Sequence, residues 1–340
     1  MAEYKGIHGT KIQNYTSDPA NPILGQVWYN ETSQTMKVQA VTTVGSWATG
    51  GDLNTARSQA MGVAESSTSA LVAGGTLPGI SAITESYNGS AWTEVNDLNT
   101  ARFVGVASGT QTAAISAGGR TPVSPVGGTT INESWNGTSW TEVNDLNTAR
   151  REIAGSGAGT STSALNTGGS TNPPTNKIAN NESWNGTSWT EVGDLNTARN
   201  QSASVGVDNT SALCFGGQNP TTYVANTESW NGTSWTELND LGTARYALAG
   251  AGTSTDALGF GGYQYLINPS SPHAVARTEA WNGSSWSETS DLNRKISSNT
   301  GNGTGSSAIT IGGIDTPTQT ANTEEWIGPG VPTTRTITSS

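Results

Sequence analysis

Cysteine and histidine are nearly missing from this 340-residue sequence: one Cys (Cys214) and two His (His8, His273). A single thiol excludes an internal disulfide framework, and with the histidines far apart no His/Cys metal cluster can form within one chain. Charge is scarce too. Only 12% of residues are charged, and their balance is acidic, with a net charge of −11. A nucleic-acid binder would show a basic face, so none is expected. Disordered chains pair low hydrophobicity with high charge, and the charge is lacking here. No apolar run approaches the ~20 residues that span a bilayer, so no membrane insertion is expected. The opening Met1–Gly9 lacks the apolar core of a secretory signal, which implies synthesis in a cytoplasm. What the chain does have is 43 Gly and 12 Trp among many Ser, Thr and Asn, a mixture suited to short strands and frequent turns.

An internal repeat dominates the sequence. Asp-Leu-Asn-Thr-Ala-Arg begins at Asp52, Asp97, Asp145 and Asp194, returns as Asp-Leu-Gly-Thr-Ala-Arg at Asp240, and survives as Asp-Leu-Asn-Arg-Lys-Ile at Asp291. A glycine pair follows each, from Gly74-Gly75 to Gly312-Gly313. A third marker, Glu-Ser-Trp-Asn-Gly-Thr-Ser-Trp, starts at Glu133, Glu182 and Glu228, with variants at Glu85 and Glu279. Each repeat reads as four strands. Strand a is a small-residue stretch after the Arg, b runs into the glycine pair, c ends at the first aromatic, and d carries the second Trp. Asn-Gly between c and d is a hairpin signal that favours positive φ at both turn positions. No segment keeps a helical period. Four short antiparallel strands per ~45–50 residues is the arithmetic of a β-propeller blade.

The chain ends complement each other. Gly45–Thr49 reads as a strand d without its own a, b and c, whereas the last repeat stops after Trp326 without a strand d. Pairing 41–49 with 296–326 would close a ring and remove exposed sheet edges. The expected fold is therefore all-β: a six-bladed propeller over 36–328, closed by the N-terminal strand. A segment 1–35 precedes it and a tail 329–340 follows.

These residues resemble the Kelch family of propellers, whose motif sets a glycine pair before an aromatic and a Trp several residues apart, as in Gly118-Gly119, Trp135 and Trp140. The stretches Tyr4–Gln13, Ser17–Pro19 and Gly25–Asn30, with the repeat's wording, are similar to structural proteins of tailed phages, especially marine ones. That resemblance implies a virion component, a fibre or tail-associated protein made in the host cytoplasm and present in multiple copies. Residues 1–35 would dock other virion proteins, with Trp28 and Tyr29 as the contact. The propeller would face a host-surface glycan or receptor. Two alternatives stay open: a capsid or tail decoration protein, and a glycan-degrading virion enzyme.

The chemical candidates are few, and no catalytic, metal or cofactor residue is assigned. Cys214 reads as a small buried strand residue. The strand-c Glu and loop Asp recur in every repeat and read as architecture, the Asp as an Asx turn in preference to a calcium ligand. Arg57, Arg102, Arg150, Arg199 and Arg245 open strand a, with Ile296 in the sixth repeat. They tie blades together through carbonyls or the repeated Glu, or they grip an acidic ligand; Arg102, Arg150 and Arg199 are kept as binding candidates. The Trp pairs read as packing between blades. Between the glycine pair and strand c the connections differ in every repeat, and 263–278 is the longest. These b–c loops share a face with the d–a loops, and recognition is expected there, with Tyr263, Tyr265 and His273 as the best binding residues.

Overall fold

The computed structural model describes residues 12–20, 22–23, 25–41, 44–124, 127–155, 160–171, 176–264, 273–315, 317–330 and 332–337. Every regular element among them is a strand. The chain forms two compact bodies, one of residues 46–327 and one combining 1–45 with 328–340.

Among the described residues, the larger body contains six four-stranded antiparallel sheets in the order a-b-c-d. In the first repeat the strands are Met61–Ser66, Ser69–Ala73, Thr84–Tyr87 and Trp92–Val95. Burial falls outward across each sheet: strand b is almost wholly buried, whereas strand d buries only its leading Trp. This gradient explains the Ala, Leu and Val of strand b and the polar Thr-Glu of strand d. The sixth sheet is assembled from both ends of the body. Thr300–Thr304, Ser307–Asp315 and Thr318–Ile327 are completed by Ser46–Thr49, with Trp47 opposite Trp326. That joining strand is shorter than the expected 41–49, because Val41 ends a strand of the smaller body.

Two cycles of backbone hydrogen bonds join the sheets. Gln59, Val104, Glu152, Gln201, Ala247 and Ser298, one per repeat, all hold φ between 48° and 56°. Each of the last five donates its N–H to the carbonyl of the one before, and Gln59 donates to Ser298, at 2.6–3.0 Å. Left-handed backbone costs a non-glycine residue about 1–3 kcal/mol, and the bond made there offsets it. In the second cycle the glycine pair's second N–H donates to the carbonyl closing the next hexapeptide: Gly75 to Arg102, Gly262 to Ile296, and Gly313 back to Arg57. Both glycines have positive φ, and a Cβ on Gly119 would sit 2.6 Å from the Phe103 carbonyl oxygen, so no other residue fits.

The Asn-Gly turns depart from expectation. Only the glycine is left-handed, at φ of 89–91°. The asparagine stands before it, and its Oδ1 accepts the N–H groups two and three residues on, as Asn88 does from Ser90 and Ala91 at 3.0 Å. Asx capping, not a left-handed asparagine, thus fixes this turn.

The tryptophans pack where neighbouring sheets meet. Met61, Val63, Leu71 and Ala73 of the first sheet share a cluster with Ala114, Trp135 and Trp140 of the second. Burying each large side chain contributes about 1.5–3 kcal/mol. The first Trp of a repeat donates to the a–b turn, as Trp135 Nε1 does to Gln111 O at 3.0 Å. Tyr87 takes that place in the first repeat and donates instead to Glu325 of the sixth sheet, while burial pushes its phenol up to about 12. The second Trp donates to a Thr hydroxyl of the preceding sheet: Trp140 to Thr84, Trp286 to Thr227, Trp47 to Thr278 and Trp92 to Thr323. At Trp189 and Trp235 the equivalent residues are Asn132 and Asn181, and both the indole N–H and the Asn Oδ1 lack a partner. Asn132→Thr and Asn181→Thr should therefore each stabilise the protein by about 1 kcal/mol, read as a higher denaturant midpoint at unchanged slope.

The smaller body is a separate sheet, ordered Gln13–Tyr15, Val27–Asn30, Thr35–Val41 and Pro332–Ile337. The first pair is parallel and the others antiparallel. The boundaries expected at 35/36 and 328/329 differ from those of the two bodies: Thr35–Val41 belongs to the smaller body, and the tail supplies its edge strand. Trp28 is fully buried, and its Nε1 donates to Asp18 at 2.9 Å. A second bond, from Asn30 at 2.7 Å, is the larger reason that Asp18 sits below its usual pKa. Trp28 is thus core rather than a docking contact, whereas Tyr29 on the opposite strand face is half-buried.

Candidate binding face

The conserved wording of the repeat builds a rigid support. Glu133 is fully buried and accepts four bonds: from Asn99 N and Nδ2 at 2.7 and 2.8 Å, from Thr100 N at 3.3 Å, and from Arg102 Nη1 at 2.9 Å. The same carboxylate cluster forms at Glu85, Glu182 and Glu228 with Arg57, Arg150 and Arg199, and at Glu279 with Arg245. The arginines also donate to carbonyls, as Arg150 does to Asn180 O at 2.8 Å. Burial lowers the guanidinium pKa of Arg102 and Arg150, and brings Arg245 to about 10, while the paired glutamate opposes that shift. Arg102, Arg150 and Arg199 have no exposed surface. They are withdrawn from the binding candidates, because a guanidinium already saturated inside the fold cannot touch a ligand. The loop aspartates are not Asx turns: Asp97 accepts from Thr84 N, the first residue of strand c.

On this support sits a face whose residues change from repeat to repeat. The position after each hexapeptide bridges the position after each glycine pair: Ser58 with Thr76, Phe103 with Arg120, Arg151 with Ser170, Asn200 with Gln218, Tyr246 with Tyr263, and Ser297 with Ile314. The support is constant and the displayed residues are not, so the face divides into chemical sectors.

The fourth and fifth repeats contribute an aromatic sector. Tyr246 lies between Tyr223, at 4.1 Å between ring centroids and 30° between planes, and Tyr263, at 5.4 Å and 27°. All three rings are half-buried. Tyr263 begins a short hairpin in which Gln264 opposes His273, whose side chain is exposed. Tyr263 itself pairs with Ala274, so Tyr263 and His273 share the hairpin but are not partners, and Tyr265 lies outside the described residues. The second and third repeats contribute Arg120, Arg151, Glu152 and Lys177. The first strands line a cavity of about 140 Å³ with glycines and alanines, the apolar Met61, Ile153 and Leu248, and the polar Ser204 and Asn299. Its mouth, about 100 Å³, is rimmed by the six left-handed residues. Glu152 is the one carboxylate among those six, so the rim offers no acid pair. Cys214 is buried beside Ser202, and burial raises its thiol pKa.

Sequence reasoning missed Tyr223, Tyr246 and the Arg120–Lys177 sector. For Tyr246, Arg120 and Arg151 the signal was present in two columns, after the hexapeptide and after Gly-Gly, where residue types diverge beside repeated neighbours; Tyr223 and Lys177 lie in neither.

No family model and no curated protein sequence matches this chain. Among solved structures it is similar to that of YjhT, with a TM-score of 0.67 at 10% identity over 80% of this chain and 95% of that one. A likeness at that identity shows the fold alone: the larger body has a β-propeller-like fold.

Proposed function

We propose that the larger body is a six-bladed, Kelch-like propeller closed by Ser46–Thr49, and that it serves as a non-enzymatic binding module of a tailed-phage particle, presenting its irregular face to the host surface. The carrying observation is the tyrosine ladder Tyr223–Tyr246–Tyr263, displayed on a scaffold that repeats everything except its face. The two hydrogen-bond cycles support closure. Tyrosine offers amphipathic contact area at low conformational-entropy cost, which suits recognition. Particle docking is assigned to the smaller body, where Ile12, Ile23, Val44 and Ile337 are 44–74% exposed; apolar surface of this kind suits burial against another virion protein.

Particles carrying Tyr246→Ala should assemble normally and adsorb to host cells about tenfold or more weakly, since a central aromatic contact commonly contributes 2 kcal/mol or more. Loss of assembly with intact adsorption would make the protein a decoration component instead.

A further inference from the structure

Where the sixth sheet meets the first, the repeat changes its wording at three positions together. At the other five junctions, the residue before the first aromatic of the leading sheet is Ser, or Ala280 in the fifth repeat. Strand d of that sheet then places Val95, Val143, Val192, Leu238 or Thr289 three positions after its Trp. The first four of these pack into the clusters that hold the next repeat's first Trp. At the junction of the sixth and first sheets, Glu325 stands for the Ser, Gly50 for the Val and Tyr87 for the Trp.

The three changed residues meet. Tyr87 is fully buried, and its hydroxyl donates to Glu325 Oε1 at 2.5 Å and accepts from Gly51 N at 3.1 Å. Burial, then the Glu325 bond, push the phenol up to about 12, so it keeps its proton and stays a donor. Gly50 supplies the room: a Cβ there would sit 3.0 Å from Glu325 Oε1 and 3.1 Å from Tyr87 Oη. Trp92 Nε1 donates to Gly51 O at 3.0 Å. The first repeat therefore grips both the N–H and the carbonyl of Gly51, two residues beyond the strand Ser46–Thr49.

That strand has a particular need of a grip. Every other strand d follows its strand c through an Asn-Gly turn, and a short connection keeps the entropy cost of pairing low. Ser46–Thr49 pairs with Thr318–Ile327, from the far end of the chain, and has no such tether. We propose that Tyr87, Glu325 and Gly50 form a latch that holds Ser46–Thr49 shut on the sixth sheet. The proposal rests on the closure by Ser46–Thr49 read above and adds the residues that secure it. A hydroxyl serves here where an indole does not, because it donates and accepts at once. Losing it leaves Gly51 N–H and Glu325 without their partner.

Hydrogen exchange of the full chain, read by mass spectrometry, follows the opening of residues 46–51 directly. In the unaltered chain this segment should be protected as well as the hairpin-tethered Trp140–Val143. Tyr87→Phe and Glu325→Ser should each speed exchange of 46–51 about tenfold or more, and leave Trp140–Val143 within about twofold. Adding Glu325→Ser to Tyr87→Phe should change little further, since the two share one contact. Gly50→Val alone should also speed exchange. Tyr87→Trp, Gly50→Val and Glu325→Ser together restore the wording of the other junctions and should exchange more slowly than Gly50→Val alone. Unchanged exchange of 46–51 in Tyr87→Phe, equal acceleration of Trp140–Val143, full additivity in the double variant, or a triple variant no better than Gly50→Val would each overturn the latch. Protection of 46–51 in both the unaltered chain and Tyr87→Phe leaves closure standing and removes the latch alone; fast exchange of 46–51 in the unaltered chain removes both.

Discussion

A chain of residues 51–327 should melt about 10 °C or more below one of residues 46–327, although the two differ by five residues. Those five carry Ser46–Thr49, the outer strand of the sixth sheet. Removing them takes out Trp47, which packs against Phe260 at 4.9 Å and Trp326 at 5.4 Å and donates to Thr278 of the fifth sheet. Losing a buried Trp costs about 3–5 kcal/mol, and the strand's backbone bonds add about 1 kcal/mol each. A domain of this size loses roughly 2 °C per kcal/mol. The 46–327 chain should melt within a few degrees of the full chain, because its compact body ends at those residues. Equal melting of the two truncations would mean that the larger body does not depend on this strand.

The orphan strand was legible because repetition makes an omission visible: five copies define what the first and last lack. The same logic exposed the four-strand repeat and the Trp interfaces. It failed where the structural role is not written in residue type. Gln59, Val104, Glu152, Gln201, Ala247 and Ser298 share one left-handed conformation and no side-chain chemistry, since a backbone cycle imposes it. The tyrosine ladder joins Tyr223 of the fourth repeat to Tyr246 and Tyr263 of the fifth, 23 and 17 positions apart in sequence, a spacing that no strand or helix period connects. The smaller body was misjudged because the partner of Thr35–Val41 is Pro332–Ile337, at the far end of the chain. Burial of the repeated arginines was readable only as one of two options, because five of the six strand-c glutamates have a repeated arginine to match and the sixth repeat has Ile296 instead. Trp28 was not, because a tryptophan near a terminus reads equally as core or contact until its Asp18 partner is found.

Arg150→Ala should destabilise the protein by about 3–5 kcal/mol, the cost of leaving a buried charge without its partner. Glu182 would keep Asn147 N and Nδ2 at 2.8 Å and Thr148 N at 3.2 Å but lose the cation at 2.7 Å. The carbonyls of Gly168 and Asn180 would lose a donor as well. The sixth repeat shows how the site tolerates a different solution. Ile296 fills the arginine's place inside a hydrophobic cluster, while Glu324 retains Asn293 N and Nδ2 at 2.8 and 2.7 Å. Arg150→Ile should therefore cost less than Arg150→Ala. Arg150→Ile combined with Glu182→Gln should cost less than the sum of the single changes, because the double variant buries no unpaired charge. Arg150→Lys should resemble Arg150→Ala, since a single ammonium cannot reach the carboxylate and two carbonyls at once. Denaturant unfolding of these variants, with Glu182→Gln alone as the fifth, reads these differences directly, and strict additivity would show that Arg150 and Glu182 are not coupled. The same substitutions should reach the binding face. Arg151 and Glu152 follow immediately in the chain, and Glu152 N donates into the central cycle, so a loosened Arg150 should weaken ligand binding in variants that remain folded.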